Sequence, residues 1–132
     1  MKTAKTLLLS AVVMLLLNSI ANAQDVDLKK GVMYLDGKEC LKYDGKEVPG
    51  YTFTNLAGEE LFFIGFAKDY SGTYWRLTFL KQKTKLSYRY AFASKKAVLA
   101  KMVKDGVLSN CTLNEEKIEN FIAKYDEHLD KE

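Results

Sequence analysis

Residues 72–92 read GTYWRLTFLKQKTKLSYRYAF. Trp75, Leu77 and Phe79 fall on one parity, and Tyr74, Arg76 and Thr78 on the other. The alternation returns as Leu86, Tyr88, Tyr90 and Phe92 against Lys85, Ser87, Arg89 and Ala91. Successive side chains of a strand point to opposite faces, so this period of two predicts strands Thr73–Leu80 and Leu86–Phe92, each with one buried face. The polar stretch 81–85 joins them.

Upstream, the punctuation is that of hairpins. Val32–Leu35 and Glu39–Tyr43 flank Asp36-Gly37, which suits a turn with positive φ at both central residues. Asp44-Gly45 and Pro49-Gly50 frame a looser link to Tyr51–Asn55. Ala57-Gly58 leads into Leu61–Ala67, and Ser71-Gly72 into the next strand. LFFIGF at 61–66 is apolar at both parities, which predicts a strand covered on both faces, by the chain itself or by a second copy.

Downstream of Phe92 the period changes to that of a helix. Ser94 is a suitable N-cap for a helix running to about Asp105 that buries Val98, Leu99, Met102 and Val103. Gly106 stands where a left-handed C-cap belongs, with Val107 packing back. Thr112 and Glu115 have the spacing of a capping box. The helix they start would run to about Leu129 with Ile118, Phe121, Ile122, Tyr125 and Leu129 in one stripe, and 130–132 would fray. The fold class predicted is α+β, a six-stranded antiparallel meander sheet with two C-terminal helices packed on one face.

Residues 1–23 have the parts of a cleaved signal peptide: Lys2 and Lys5, an apolar run from Leu7 to Leu17 broken by Ser10, and Ala21-Asn22-Ala23. A run of roughly 11 residues falls short of the ~20 that a membrane-anchoring helix needs. Cleavage would leave 24–132 as a single α+β domain, secreted or periplasmic, without a membrane span. Export makes a disulfide between Cys40 and Cys111 the expected state, with two free buried thiols as the rival. Cys40 shares the parity of Lys38 and Lys42, opposite to Leu41 and Tyr43. The bridge therefore requires that strand at the sheet margin or a register slipped by one.

With 48% hydrophobic residues and one Pro, the composition excludes collagen-like, low-complexity and strongly disordered classes. Nucleophile-elbow, phosphate-loop, zinc and calcium spacings are missing, so neither a catalytic residue nor a metal or other cofactor is expected. The single histidine, His128, falls in the last turn of the second expected helix, where a cation suits the dipole. Glu59-Glu60 and Glu115-Glu116 are adjacent pairs, whereas carboxylate hydrolases need a pair facing across a cleft.

Charge is segregated along the chain. Residues 24–75 carry six basic and nine acidic side chains, 76–104 nine basic and none acidic, and 105–132 three basic and eight acidic. One reading pairs the basic hairpin and first helix with the acidic last helix. The other leaves Tyr74, Arg76, Lys83, Lys85 and Arg89 as a ligand-binding patch on an uncovered sheet face. The chain is then expected to be an exported non-enzymatic binding module for an anionic glycan, a lipid headgroup or an acidic protein partner. Nucleic acid is not an expected partner, because the exported part is near neutral overall. The alternatives are a self-associating, homo-oligomeric structural envelope protein and a small carboxylate-dependent hydrolase.

Overall fold

The computed structural model describes residues 24–130; the expected signal peptide lies outside them. The class is α+β. Strands β1 (Val26–Lys29), β2 (Val32–Leu35), β3 (Lys38–Lys46), β4 (Gly50–Thr54), β5 (Glu60–Asp69), β6 (Gly72–Phe79) and β7 (Thr84–Tyr88) form an antiparallel meander in chain order. Helix α1 (Lys95–Lys104), a hairpin of β8 (Leu108–Ser109) and β9 (Thr112–Leu113), and helix α2 (Glu115–Tyr125) follow.

The main sheet has seven strands rather than six. The extra one, β1, is four residues long and carries Val26 and Leu28 between charges, too little alternation to stand out. It is joined to β2 by Lys30-Gly31 with φ of 50° and 79°, the same kind of turn that Asp36-Gly37 makes at 52° and 80°. Asp44-Gly45 is not a turn: β3 continues through both and pairs with β4 as far as Lys46↔Gly50.

Two bulges resolve the parity problems. Between β2 and β3 the pairing steps from Tyr34↔Glu39 to Met33↔Leu41, leaving Cys40 as the extra residue. A bulge residue breaks the alternation, so Cys40 and Leu41 are both buried, at 1% and 0% exposure. The disulfide to Cys111 forms from the third of seven strands, not from a margin, with the Cα atoms 5.2 Å apart. Between β4 and β5 the pairing steps from Thr54↔Glu60 to Phe53↔Phe62, and Leu61 is the extra residue. Leu61 and Phe62 thus both enter the core. Phe63, on the outer face, lies over backbone: a Cβ at Gly50 or Gly65 would come within 2.7 Å or 2.5 Å of its ring. The two-sided apolarity of this strand is thereby accounted for within one chain.

Inner-face residues Met33, Leu41, Phe53, Phe62, Ile64, Leu77, Phe79 and Leu86 form one core with Val98, Leu99, Met102, Ile118 and Phe121 of the helices. Ser94 caps α1, accepting from the Ala97 amide at 3.1 Å, and Gly106 takes φ 80° beyond its C-terminus, as the sequence implies.

Helix α2 starts later and ends earlier than expected. Thr112 is a strand residue, and Asn114 caps the helix by accepting from Glu116 N at 3.2 Å. Pairing of β8 with β9 across Asn110-Cys111, both at positive φ, takes Thr112 out of reach of a capping box. The helix stops at Tyr125 because Asp126 is extended and its carboxylate accepts the Ser87 amide at 3.0 Å. Strand β7 also stops early, at Tyr88. Glu127 takes the amides of Tyr90 and Ala91, leaving Tyr90 exposed while Phe92 turns in to stack on Phe121.

The Cys40–Cys111 bond spans 71 residues of sequence, and a closed loop of that size stabilises the fold by about 4 kcal/mol through the unfolded chain. Replacing both cysteines by serine should lower the urea unfolding free energy by about that amount. An unchanged midpoint would show that the crosslink contributes nothing.

Candidate functional site

Tyr74, Arg76 and Lys85 do share the outer face of β6 and β7, as the register Arg76↔Ser87 and Thr78↔Lys85 requires, and Arg89, just past the end of β7, joins them with Nε donating to Thr73 O at 3.2 Å and its guanidinium 5.9 Å from the centre of the Tyr74 ring. That face is not uncovered there. After α2 the segment 126–130 wraps around the edge of β7: the Glu127 amide donates to Ser87 O at 2.8 Å and the Leu129 amide to Ser87 Oγ at 2.7 Å. Asp130 is then set down among the cations. Its carboxylate accepts from Tyr74 Oη at 2.7 Å, Arg76 Nε at 2.7 Å and Arg76 Nη2 at 2.5 Å, with Lys85 Nζ at 3.6 Å.

Asp130 therefore does not fray, and Tyr74 is only 6% exposed. Arg89 is bonded to Asp69 at 2.6 Å. Lys83 stands apart, at φ 55° in the β6–β7 turn. The cationic cluster exists, then, but it already holds carboxylates of its own chain. The neutralising groups come from the terminal strap and the β5–β6 turn rather than from the face of α2; Glu115, 3.6 Å from Lys81, is the helix's share.

The Arg76 hydrogen bonds hold the Asp130 carboxyl down at about 2, from an ordinary 3.8, and the Asp130 carboxylate in turn pushes the Tyr74 phenol up. Asp69 is likewise held low by its bond from Arg89. Because the folded value for Asp130 lies below the unfolded one, its contribution is complete above the ordinary value and is lost as pH falls towards 2. Asp130→Asn should therefore cost about 2 kcal/mol in urea unfolding at pH 7, and only about 0.4 kcal/mol at pH 2, where the folded carboxyl is half protonated. A difference of undiminished size at pH 2 would contradict an ion pair as its cause.

Two other groupings resemble catalytic sets without their geometry. Asp126 stands between Ser87 and His128, with Oδ2 3.2 Å from His128 Nδ1, whereas a triad needs the imidazole in the middle. Ser87 is buried, and His128, outside the helix at φ 53°, is exposed. Glu59, Glu60 and Glu115 line a shallow hollow of about 260 Å³, but all three side chains are exposed and Glu115 is engaged by Lys81 and Gln82. Among the described residues, no group of three or more His, Cys, Asp or Glu is placed to hold a metal ion.

A different feature, which the sequence did not disclose, is on the inner face. A hollow of about 490 Å³ opens where the sheet runs past the start of α1. Leu28 of β1 and Tyr88 of β7 both line it, so the two edge strands curl towards each other. Tyr51, Ile64, Trp75 and Phe92 complete the walls, and Glu47, Ser94, Lys95 and Lys96 stand at the rim. The residues are scattered between Leu28 and Lys96, and no local pattern links them. Lys95 and Lys96 were visible only as part of a basic run.

Three properties of the hollow bear on chemistry. The walls are largely aromatic, with Trp75 and Tyr51 partly open. Neither Lys95 nor Lys96 forms an ion pair among the described residues, and Lys95 Nζ rests 3.8 Å from the centre of the Tyr51 ring. Tyr88 is 2% exposed, and its hydroxyl has no hydrogen-bond partner among the described residues. Burial pushes the Tyr88 phenol far above its ordinary value, so it stays protonated and able to donate.

No family model, no curated protein and no solved structure matches this chain. Among the described residues, no helix is long and apolar enough to cross a membrane.

Proposed function

We propose that the chain is an exported, non-enzymatic binding module for an anionic ligand, with the inner hollow as its seat. The observation that carries this is the meeting of an aromatic cavity with Lys95 and Lys96, whose charges are not spent on carboxylates among the described residues. Ligand sites favour concave, mostly apolar walls with a few polar groups, and the mouth of a curled sheet is a recurrent place for them. On the outer face, by contrast, Arg76, Lys85 and Arg89 are satisfied internally, and an incoming anion would have to displace Asp130 or Asp69.

Trp75 is the single tryptophan and lines the hollow, so its emission reports on the site. Titration at low salt with a uronic acid disaccharide, glycerol phosphate, an acidic hexapeptide and octanoate should give a saturable change with at least one of them. Replacing Lys95 and Lys96 together by alanine should weaken that binding roughly fivefold, as the loss of one half-buried and one exposed charge would. Lys83→Ala should leave it alone. Absence of binding by every anion, or indifference to the double replacement, would overturn the reading.

A further inference from the structure

On that reading, we infer that the ligand is a small amphipathic carboxylate. Its apolar body would lie against Trp75, Ile64 and Phe92, its carboxylate beside Lys95, and the Tyr88 hydroxyl would donate to it.

The walls decide the body. A glycan presents hydroxyls all around its rings and needs a matching set of polar partners, whereas the uncharged polar groups of this hollow are the Tyr51 and Tyr88 phenols and Ser94, set among Leu28, Ile64, Trp75 and Phe92. A bare phosphate-type headgroup would sit at the rim and leave Trp75, Ile64 and Phe92 without a contact. An extended acidic peptide would run across the opening rather than into it. An apolar body of modest size uses the walls as they are, because the burial of apolar surface is the interaction they offer.

The polar groups decide the head. Lys95 Nζ lies over the Tyr51 ring, and 5.5 Å from the centre of the Tyr43 ring, so it is held at the mouth rather than extended into solvent. A carboxylate arriving there gains a cation already in place. Tyr88 supplies the second, independent pointer. The residue is 2% exposed and lines the cavity, and its hydroxyl, which is not sealed from solvent, finds no protein acceptor among the described residues. A donor left unpaired at a cavity wall is satisfied by whatever acceptor enters the cavity. Glu47, which also lines the hollow, adds a repulsive element against a second anionic group, which favours a monocarboxylate over a polyanion.

The test is a series measured by Trp75 fluorescence on the disulfide-bonded chain: acetate, butanoate, hexanoate and octanoate, with octanol and octylamine as uncharged and cationic counterparts. Affinity should rise about fourfold per added methylene until the hollow is filled. Octanoate should bind at least tenfold more tightly than octanol or octylamine. Tyr88→Phe should weaken octanoate about tenfold while leaving the unfolding midpoint unchanged or raised, since no internal hydrogen bond is lost. Lys95→Gln, at a rim position, is the second variant and should weaken octanoate but not octanol. Binding of the uronic acid disaccharide with no dependence on chain length in the carboxylates would overturn this inference and leave the anion-binding module intact. Equal binding of octanoate, octanol and octylamine would overturn both, as would silence across all ligands.

Discussion

The inside of a curled seven-stranded sheet has to be filled by two helices of ten and eleven residues. At 1.5 Å per residue such helices are about 15–17 Å long, whereas the ten residues of β5 extend over about 33 Å. The mismatch sets the rest of the structure. Val98, Leu99, Met102, Ile118 and Phe121 close the part of the inner face that they reach. Beyond the start of α1, the same face continues through Tyr51 and Trp75, which are only partly covered, and the hollow is what remains. The disulfide fastens the far side, tying the bulge at Cys40 to the β8–β9 turn at Cys111.

The uneven placement of charge along the chain is sorted by this architecture into two fates. The cations of β6 and β7 point outwards, and the wrapped segment 126–130 brings Asp130 onto Arg76, Tyr74 and Lys85, while Asp69 takes Arg89. The cations at the start of α1 have no acidic neighbour in the helix's first turn, and they border an aromatic cavity. A carboxylate bound by its own chain is held at the high effective concentration of an intramolecular partner. This is why the inner hollow, rather than the outer cluster, is the better seat for a ligand from outside.

Much of the fold is legible in the sequence wherever a local rule operates without competition. The period of two in β6, the turn at Asp36-Gly37, the cap at Ser94, the stop at Gly106 and the pairing of two cysteines each follow from neighbouring residues. The errors arise where a distant partner overrides a local preference. Thr112 and Glu115 satisfy a capping spacing, but the pairing of Thr112 with Ser109 claims it for a strand, and Asn114 caps instead. Leu129 fits the helical stripe, yet its amide bonds to Ser87 Oγ outside any helix. A bulge leaves no mark in residue types, so Cys40 and Leu61 read as parity faults until their strand partners are known. The site follows the same division. That Tyr74, Arg76, Lys85 and Arg89 share a face was legible from alternation. The return of Asp130 to that face was not, nor was the approach of Leu28 to Tyr88 that makes the hollow.

Nuclear magnetic resonance shift mapping during an octanoate titration tests the placement of the site most directly, because inner and outer faces are reported in one experiment. The account predicts that the largest changes fall on the Trp75 indole, the Tyr88 ring and the Lys95 amide, while Arg76 and Asp130 keep their resonances. Changes centred on Arg76, Lys85 and Arg89, with Asp130 released, would contradict it.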